Sequence, residues 1–256
     1  MIDTTLFYRF LEWLTRGRGL YRRISDTRIK LPARYIRYFP ADYEAANFSL
    51  LQQHIRPGSV VLDIGAHIGL FSVIAAKWSG ADGRVYAFEP APTTYRVLER
   101  TIRMNHLNEQ VVAVSSAMGL NTGTIDFYVS DNEADNSNSL VPYKSDRPLR
   151  AIPVELDSID HFVSKQDIEK VDFIKIDVEG AEYDTLRGGL EVIARDRPVL
   201  MLAIHPEPIL NRNDSLEDIY TVLEQLPYHI LLDGKPVSKA VFCANRALID
   251  LHLIPR

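Results

Sequence analysis

The sequence contains a single cysteine, Cys243, among its 256 residues. One cysteine cannot build a disulfide framework within the chain, and it cannot supply a cysteine-rich metal site. Long apolar runs are also missing, because no stretch approaches the roughly 18 apolar residues that a membrane span needs. Asp3, Arg9 and Glu12 interrupt any apolar core of the kind that a signal peptide has. We therefore expect a cytoplasmic location.

Positive charge is scarce outside the first 40 residues. Residues 1–40 hold nine Lys or Arg and three Asp or Glu, a net charge of +6, whereas the rest of the chain holds 20 and 31, a net charge of −11. An acidic body argues against general nucleic-acid binding. The prediction is a globular chain with a basic N-terminal segment and no nucleic-acid partner.

A glycine turn after an apolar run is the most informative segment. The run 59–62 leads into Asp63, and Gly65 and Gly69 follow before a helical pattern starts. A buried strand, a glycine turn and a helix N-terminus form the place where open α/β sheets bind nucleotide-like cofactors. The turn lacks two glycines of the dinucleotide fingerprint, and the sequence has neither a P-loop nor a G-x-S-x-G elbow. These absences disfavour NAD, FAD, phosphoryl transfer and serine hydrolysis.

A second apolar run, 84–88, ends in Glu89 and Pro90. In nucleotide-binding α/β units, an acidic residue roughly 20 positions after the glycine turn accepts hydrogen bonds from the ribose hydroxyls. Glu89 lies in that window. We therefore predict that it binds the ribose of the cofactor.

Strand and helix patterns alternate along the chain, which favours a parallel sheet with helices on both faces. We predict an N-terminal helical extension over residues 1–42 and one catalytic domain over 43–256. The predicted strands are 59–64, 84–88, 110–114, 152–154, 171–176, 198–204, 228–232 and 240–251, with 124–129 in a hairpin, and the predicted helices begin near 69, 92, 157, 181 and 215. The last two strands are expected to form an antiparallel pair.

Four segments in order resemble the FkbM-type methyltransferase family: Asp63-Ile64-Gly65-Ala66-His67-Ile68-Gly69, Tyr86-Ala87-Phe88-Glu89-Pro90, Asp172-Phe173-Ile174-Lys175-Ile176-Asp177-Val178-Glu179-Gly180-Ala181-Glu182 and Arg197-Pro198-Val199-Leu200. The resemblance covers about residues 43–206, and its Asp-Val-Glu-Gly-Ala-Glu segment is the most specific part. The family usually has Asn at the position of His67, and often an acidic residue at that of Ala203.

The resemblance implies a Rossmann-like class I methyltransferase fold, with a mostly parallel seven-stranded sheet and helices on both faces. It also implies an S-adenosylmethionine-dependent O-methyltransferase that acts on a hydroxyl of a sugar, glycolipid or natural-product acceptor. The cofactor-binding residues are then expected to be Asp63, Gly65, His67, Gly69 and Glu89.

Three further polar residues follow predicted parallel strands and therefore point to the same rim of the sheet. They are Asp177, Glu179 and His205. Transfer of a methyl group to a hydroxyl releases a proton, so a base or a metal assists the reaction. We predict these three as catalytic residues, with His205 or Asp177 as the base. The same residue types could hold a divalent cation, and the sequence does not separate the two roles. Asp157 and His161 are weaker candidates.

Alternatives remain at three points. An NAD-linked oxidoreductase would bind a nicotinamide cofactor, and a non-catalytic regulatory protein would bind S-adenosylmethionine without turnover. The helical pattern Leu6, Phe10, Leu14 and the arginines after it predict a helix or lid docked on the domain in preference to peripheral membrane contact through residues 1–40. The polar segment 131–139 would suit a sugar-like acceptor. The oligomeric state is left open.

Overall fold

The computed structural model describes residues 4–130 and 149–256. Its strands in chain order are β1 Leu20–Ile24, β2 Thr27–Leu31, β3 Val60–Ile64, β4 Arg84–Phe88, β5 Val111–Val114, β6 Ala117–Met118, β7 Gly123–Ser130, β8 Leu149–Asp157, β9 Phe173–Ile176, β10 Val199–Ile204, β11 Tyr228–Leu232, β12 Lys235–Pro236 and β13 Ile249–Pro255. Its α-helices are α1 Thr4–Leu14, α2 Ala45–His54, α3 Leu70–Ser79, α4 Pro92–Met104, α5 Ile159–Lys165, α6 Glu182–Arg187, α7 Leu190–Asp196, α8 Pro206–Asn211, α9 Leu216–Gln225 and α10 Lys239–Ala244, and a 3-10 helix spans Ala33–Tyr38.

The main sheet of the described chain has the strand order β12-β11-β13-β10-β9-β3-β4-β5. Strands β10, β9, β3, β4 and β5 run parallel, and β13, β11 and β12 add an antiparallel edge. Every residue of β9 and β10 is buried. Strands covered on both faces are nearly continuously apolar, which explains why these runs were recognisable in the sequence.

Helices cover both faces of this sheet, as expected. One core cluster joins residues of α2, α3 and α4 to one face, and a second joins residues of α5, α6, α7 and α9 to the other. The predicted α/β class is therefore confirmed. The sheet contains an eighth strand, the two-residue β12, where the sequence predicted seven.

The predicted strand 240–251 is wrong in its first half. Residues Lys239–Ala244 form α10, and the strand begins only at Ile249 and runs to Pro255. The hydroxyl of Ser238 accepts a hydrogen bond from the Val241 N–H at 3.4 Å and caps this helix. Such capping by serine favours a helix start that the apolar pattern alone did not reveal.

The helix predicted to begin near residue 181 is divided into α6 and α7 at Gly188 and Gly189. A Cβ atom on Gly188 would lie 2.1 Å from the Gly119 carbonyl oxygen. Close approach of a neighbouring loop therefore requires glycine here, and glycine favours the break in the helix.

The N-terminal segment is only partly helical. Helix α1 and the 3-10 helix flank the antiparallel hairpin β1–β2, which the sequence analysis did not predict. The side chains of Ile24, Ile29 and Leu31 are fully buried and belong to the same core cluster as α3 and α4. This hairpin therefore packs as part of the domain, and the boundary at residues 42 and 43 stays a prediction.

A small second sheet, in the order β6-β8-β7, flanks the main one. It contains the predicted strand 152–154 as part of β8, and β7 is the predicted strand of the hairpin. The polar segment 131–139 lies outside the described residues. Among residues 4–130 and 149–256, no helix has both the length and the apolar character that crossing a bilayer requires.

Candidate active site

A cleft opens at the carboxyl ends of the parallel strands, the edge where open α/β sheets bind their ligands. Its empty space is about 1050 Å³, open mouth included, which is enough for a cofactor-sized molecule. Aromatic side chains and carboxylates dominate its wall, which includes Phe39, Tyr43, Glu44, Phe48, Gly65, His67, Phe71, Phe88, Glu89, Met118, Phe127, Lys175, Asp177 and Glu179. The site thus combines apolar surface with a few charged groups.

The floor of the cleft is the glycine turn after β3. Gly65 has φ +83°, and a Cβ atom there would lie 1.8 Å from the carbonyl oxygen of Asp177. The N–H groups of Gly65 and Ala66 both donate to the carbonyl oxygen of Phe88, at 3.1 and 2.8 Å. Only glycine fits this crowded left-handed position. The turn therefore packs directly against the backbone of the segment that follows β9.

Glu89 sits beside that turn and fixes its shape. Its two carboxylate oxygens accept hydrogen bonds from the N–H groups of Ala91 at 2.9 Å and His67 at 3.1 Å. Burial raises the pKa of this carboxyl to about 7, although the two N–H donors oppose the shift. A buried carboxylate that keeps lone pairs towards a cleft can accept hydroxyl donors from a ligand.

A buried lysine links the ends of β3 and β9. Lys175 lies opposite Asp63 in the parallel ladder, and its Nζ atom is 3.8 Å from Asp63 Oδ1 and 2.9 Å from Asp177 Oδ2. Burial alone would lower the pKa of Lys175, but the two carboxylates outweigh it and raise the pKa. The same ammonium, with His205, holds the pKa of Asp177 below its usual range despite burial. Both Lys175 and Asp177 are therefore charged at neutral pH.

Asp63 itself is fully buried and accepts a hydrogen bond from the Ser72 hydroxyl on α3. Its Oδ1 atom has no hydrogen-bond partner among the described residues. Burial raises the pKa of Asp63, while Lys175 and Ser72 act in the opposite direction. Asp63 therefore lies behind the cleft wall, where it connects the end of β3 to Ser72 on α3 and to Lys175 on β9.

His205 follows β10 and is held by a buried glutamate. Its Nδ1 atom lies 2.8 Å from Oε1 of Glu182, a residue with no exposed surface, and its Nε2 atom lies 3.7 Å from Asp177 and 4.0 Å from Glu179. Burial would lower the pKa of His205, but Glu182 and the other two carboxylates raise it to about 9. His205 is therefore an imidazolium at neutral pH.

Two residues of the site have unusual backbone conformations. His67 and Glu179 have φ values of +51° and +53°, in the left-handed region that non-glycine residues rarely adopt. Burial lowers the pKa of His67 to about 4, and its Nε2 atom has no hydrogen-bond partner in the described chain. His67 thus lines the cleft as a neutral imidazole with a buried, unpartnered nitrogen, and backbone strain of this kind is concentrated at functional sites.

The structure brings the eight predicted site residues to one edge of the sheet, but in two layers. Gly65, His67, Glu89, Asp177 and Glu179 line the cleft. Asp63, Gly69 and His205 stand behind its wall, and a Cβ atom on Gly69 would meet Leu98 at 2.6 Å. Their roles in cofactor binding and catalysis stay predictions.

The sequence analysis missed three residues that matter to this geometry. Lys175 lay within an apolar strand pattern, Glu182 stood three positions after Glu179, and Tyr43 preceded the glycine turn by 22 residues. Tyr43 lines the cleft, packs edge-on against Phe39 at 4.9 Å, and has a pKa raised by burial and then by Glu44. An isolated lysine inside an apolar strand was the one available signal, because such a charge needs partners.

Asp157 and His161 form an exposed pair at 2.7 Å, outside the residues that line the cleft. Within the part of the chain that the structure describes, no group of three or more His, Cys, Asp or Glu side chains is arranged to hold a metal ion.

Comparison with known proteins finds a family match over the part of the chain that forms the cleft from Gly65 to Glu179. The model of the methyltransferase FkbM domain matches residues 63–230. The methyltransferase sdnD of Sordaria araneosa is 29% identical over 155 residues, which cover 50% of this chain and 59% of that protein. The 2-O-methyltransferase NoeI of Sinorhizobium fredii is 29% identical over 203 residues, 73% of this chain and 74% of NoeI.

The hexuronic acid methyltransferase AglP of Haloferax volcanii is 27% identical over 139 residues, 54% of this chain and 53% of AglP. The chain thus spans between about half and three quarters of these relatives. Among solved structures, the methyltransferase FkbM of Methylobacillus flagellatus superposes with a TM-score of 0.50 at 18% identity, over 80% of this chain and 50% of the other. That likeness shows a shared fold.

Proposed function

The chain belongs to the FkbM family of S-adenosylmethionine-dependent methyltransferases, and we propose that it methylates a hydroxyl group of a saccharide or related small-molecule acceptor. The observation that carries this proposal is the meeting of the Gly65 turn, Glu89 and Asp177 around one cleft. The acceptor class is supported by the names of two relatives, a 2-O-methyltransferase and a hexuronic acid methyltransferase.

The cleft residues fit the cofactor at its ribose. Glu89 presents a carboxylate whose oxygens already accept two backbone N–H groups and retain lone pairs for the ribose hydroxyls. Gly65 lets the turn lie directly against the Asp177 backbone at the cleft, because a Cβ atom there would lie 1.8 Å from the Asp177 carbonyl oxygen. We assign Glu89, Gly65 and His67 to direct contact, and Asp63 and Gly69 to support of the turn from behind.

The charge balance of the cleft also fits this cofactor. S-adenosylmethionine supplies a methyl group bound to a positively charged sulfur. Glu89, Asp177 and Glu179 line the cleft, and Lys175 is a buried cation between carboxylates. A surplus of negative charge in a partly desolvated cleft stabilises a cationic ligand more than its neutral product.

Asp177 is the base that we favour over His205. His205 keeps its proton at neutral pH, since its pKa is about 9, whereas Asp177 is ionised and lines the cleft with a third of its side chain exposed. In the proposed step the acceptor oxygen forms a bond to the methyl carbon, the carbon–sulfur bond breaks, and the hydroxyl proton passes to Asp177. His205 holds Asp177 in place from 3.7 Å and is a positioning residue.

The test measures methyl incorporation from isotopically labelled S-adenosylmethionine into a panel of uronic acids, hexoses and deoxyhexose glycosides, read by mass spectrometry. Asp177→Asn is expected to lower turnover by about 10²–10⁴-fold if Asp177 is the base. Affinity for S-adenosylhomocysteine should change little in comparison. Asp82→Asn, at an exposed aspartate outside the cleft, is the matched control and should keep normal turnover.

Several results would contradict the proposal. Cofactor binding without product from any acceptor would favour a non-catalytic regulatory protein, and tight NADH binding would favour an oxidoreductase. Product with a methylated nitrogen or carbon would remove the hydroxyl assignment. Turnover that is lost on chelation and restored by Mg²⁺ or Mn²⁺ would show that a bound cation assists loss of the hydroxyl proton, and would contradict Asp177 acting as the base without a metal.

A further inference from the structure

Helix α1 carries an apolar stripe that faces solvent. The side chains of Phe7, Phe10, Trp13 and Leu14 repeat at helical spacing and are 49%, 55%, 73% and 59% exposed. The helix is nevertheless attached, because it packs against the 3-10 helix, where Arg37 lies 5.6 Å from the ring of Tyr8. Four large apolar side chains on one exposed stripe are unusual for a surface that meets only water.

Exposed arginines follow this stripe along the chain. Arg16, Arg18 and Arg23 are exposed close to the end of α1 and in the hairpin that follows. A second cleft beside the stripe is lined by Trp13, Arg16, Arg34 and Arg100, with Glu12 as its acidic member. Glu12 is ion-paired to Arg100, and the three arginines and one glutamate give the lining of this cleft a net charge of +2.

We propose that this N-terminal face, consisting of the α1 stripe and the arginines beside it, docks on a bilayer surface that contains anionic lipid. Aromatic residues at the interface and arginines at the level of the lipid head groups are the two components of such binding. At 11 residues, α1 is about 16 Å long and suits a position in the plane of the membrane surface.

Charge complementarity selects the bilayer over a second copy of the chain. A symmetric dimer through this face would bring two segments of net charge +6 together, and their repulsion opposes association. An anionic membrane attracts the same segment, while the body of the chain, at −11, is repelled and stays in solution. The N-terminal face is also continuous with the cleft, because the 3-10 helix under α1 leads directly to Phe39 in the cleft wall.

The test is co-sedimentation of the full chain with vesicles of phosphatidylcholine containing a quarter phosphatidylglycerol, and with pure phosphatidylcholine vesicles. The wild-type chain is expected to bind the anionic vesicles, and to bind them more weakly at 0.5 M salt, because salt screens the arginines. Phe10→Ser/Trp13→Ser should reduce the partition coefficient by about tenfold or more, since two aromatic side chains lose their contact with the bilayer.

The control is Val241→Ser/Leu248→Ser, which removes two apolar side chains that are each 57% exposed and lie far along the chain. It should bind the vesicles as the wild type does. In a Trp78→Phe background, Trp13 is the remaining tryptophan, and its emission should shift to the blue on addition of anionic vesicles. Circular dichroism and S-adenosylhomocysteine binding verify that each variant is folded.

Absence of wild-type binding at low salt would overturn the proposal, as would equal binding by the Phe10→Ser/Trp13→Ser variant. A dimer in light scattering that the same variant dissociates would assign the stripe to contact between copies and overturn it too. Because vesicle binding is measured without an acceptor, these outcomes are independent of the proposed methyl transfer.

Discussion

With Glu89 at the cofactor ribose, as we propose, the pKa of this carboxyl is expected to make cofactor affinity dependent on pH. The carboxyl titrates at about 7 instead of its ordinary 4.5, because it is buried at the floor of the cleft. That difference means that the folded protein holds the ionised form at a cost of roughly 3 kcal/mol at neutral pH. A ligand whose hydroxyls donate to the carboxylate recovers part of this cost and lowers the pKa in the complex.

The direction of the pH dependence follows from the protonation state of Glu89 that binds the ligand. Above pH 7 the carboxylate is ready to accept the ribose hydroxyls, whereas below pH 7 the cleft must first lose a proton. Affinity for S-adenosylhomocysteine should therefore fall by up to tenfold per pH unit below 7, or by about 100-fold between pH 8 and pH 5. Isothermal titration across this range gives the dissociation constants directly, and thermal melting at each pH verifies that the chain remains folded.

Glu89→Gln separates this effect from other titrations. The amide cannot ionise, so we expect affinity at pH 8 to fall by roughly 10–150-fold, the worth of charge-assisted hydrogen bonds, and the dependence on pH to flatten. Glu109→Gln, at an exposed glutamate outside the cleft, should match the wild type. A wild-type affinity that changes less than threefold from pH 5 to pH 8 would refute the reasoning. So would a Glu89→Gln variant that keeps the wild-type slope.

Three further predictions address the scaffold of the cleft. Gly65→Ala should lower the free energy of unfolding, measured in urea, by more than about 3 kcal/mol, because its Cβ atom meets backbone. Gly58→Ala, at φ +87° with no atom within 4 Å, should lower it by only about 1 kcal/mol, and equal losses would contradict this reasoning. Lys175→Met should lower the free energy of unfolding by about 3–5 kcal/mol at pH 7, because it leaves buried carboxylates unpaired. This loss should shrink in acid as the carboxylates protonate, and a loss that is independent of pH would argue against the ion pairs. Glu182→Gln should lower the pKa of His205 from about 9 towards 6.5 in an NMR titration. In the wild type, the stabilisation that comes from the raised pKa is complete below pH 6.5 and is lost as the pH rises through 9. An unshifted pKa in the variant would show that Glu182 does not raise it.

Local patterns in the sequence predicted the strands that carry the site. The apolar runs before Asp63 and before Asp177 are buried strands, and strands covered on both faces leave a strong signal. Gly65 and Glu89 were recognisable because a ligand at a strand end demands particular residue types at fixed spacing. The parallel class of the sheet followed from the alternation of strands and helices.

Contacts between segments that are distant in the sequence could not be predicted from these local patterns. The hairpin Leu20–Leu31 was not predicted, since its burial depends on helices α3 and α4, which begin 39 and 61 residues after its last residue. The protonation of His205 likewise depends on Glu182, 23 positions away, and on Asp177 beside it. The sequence could offer His205 as a base because an unperturbed histidine titrates near neutral pH.

The sequence by itself therefore determined the strands and the glycine turn from which the cofactor site is predicted, because strand, turn and acidic residue are local features of the chain. Only the tertiary structure decided the charge that each residue carries and the layer in which it stands. Burial and ion pairing depend on neighbours that the fold assembles, and these set the pKa values of Glu89, Lys175 and His205. The apolar spacing along α1 is likewise visible in the sequence, but only packing against the 3-10 helix decided that Phe10 and Trp13 remain in solvent.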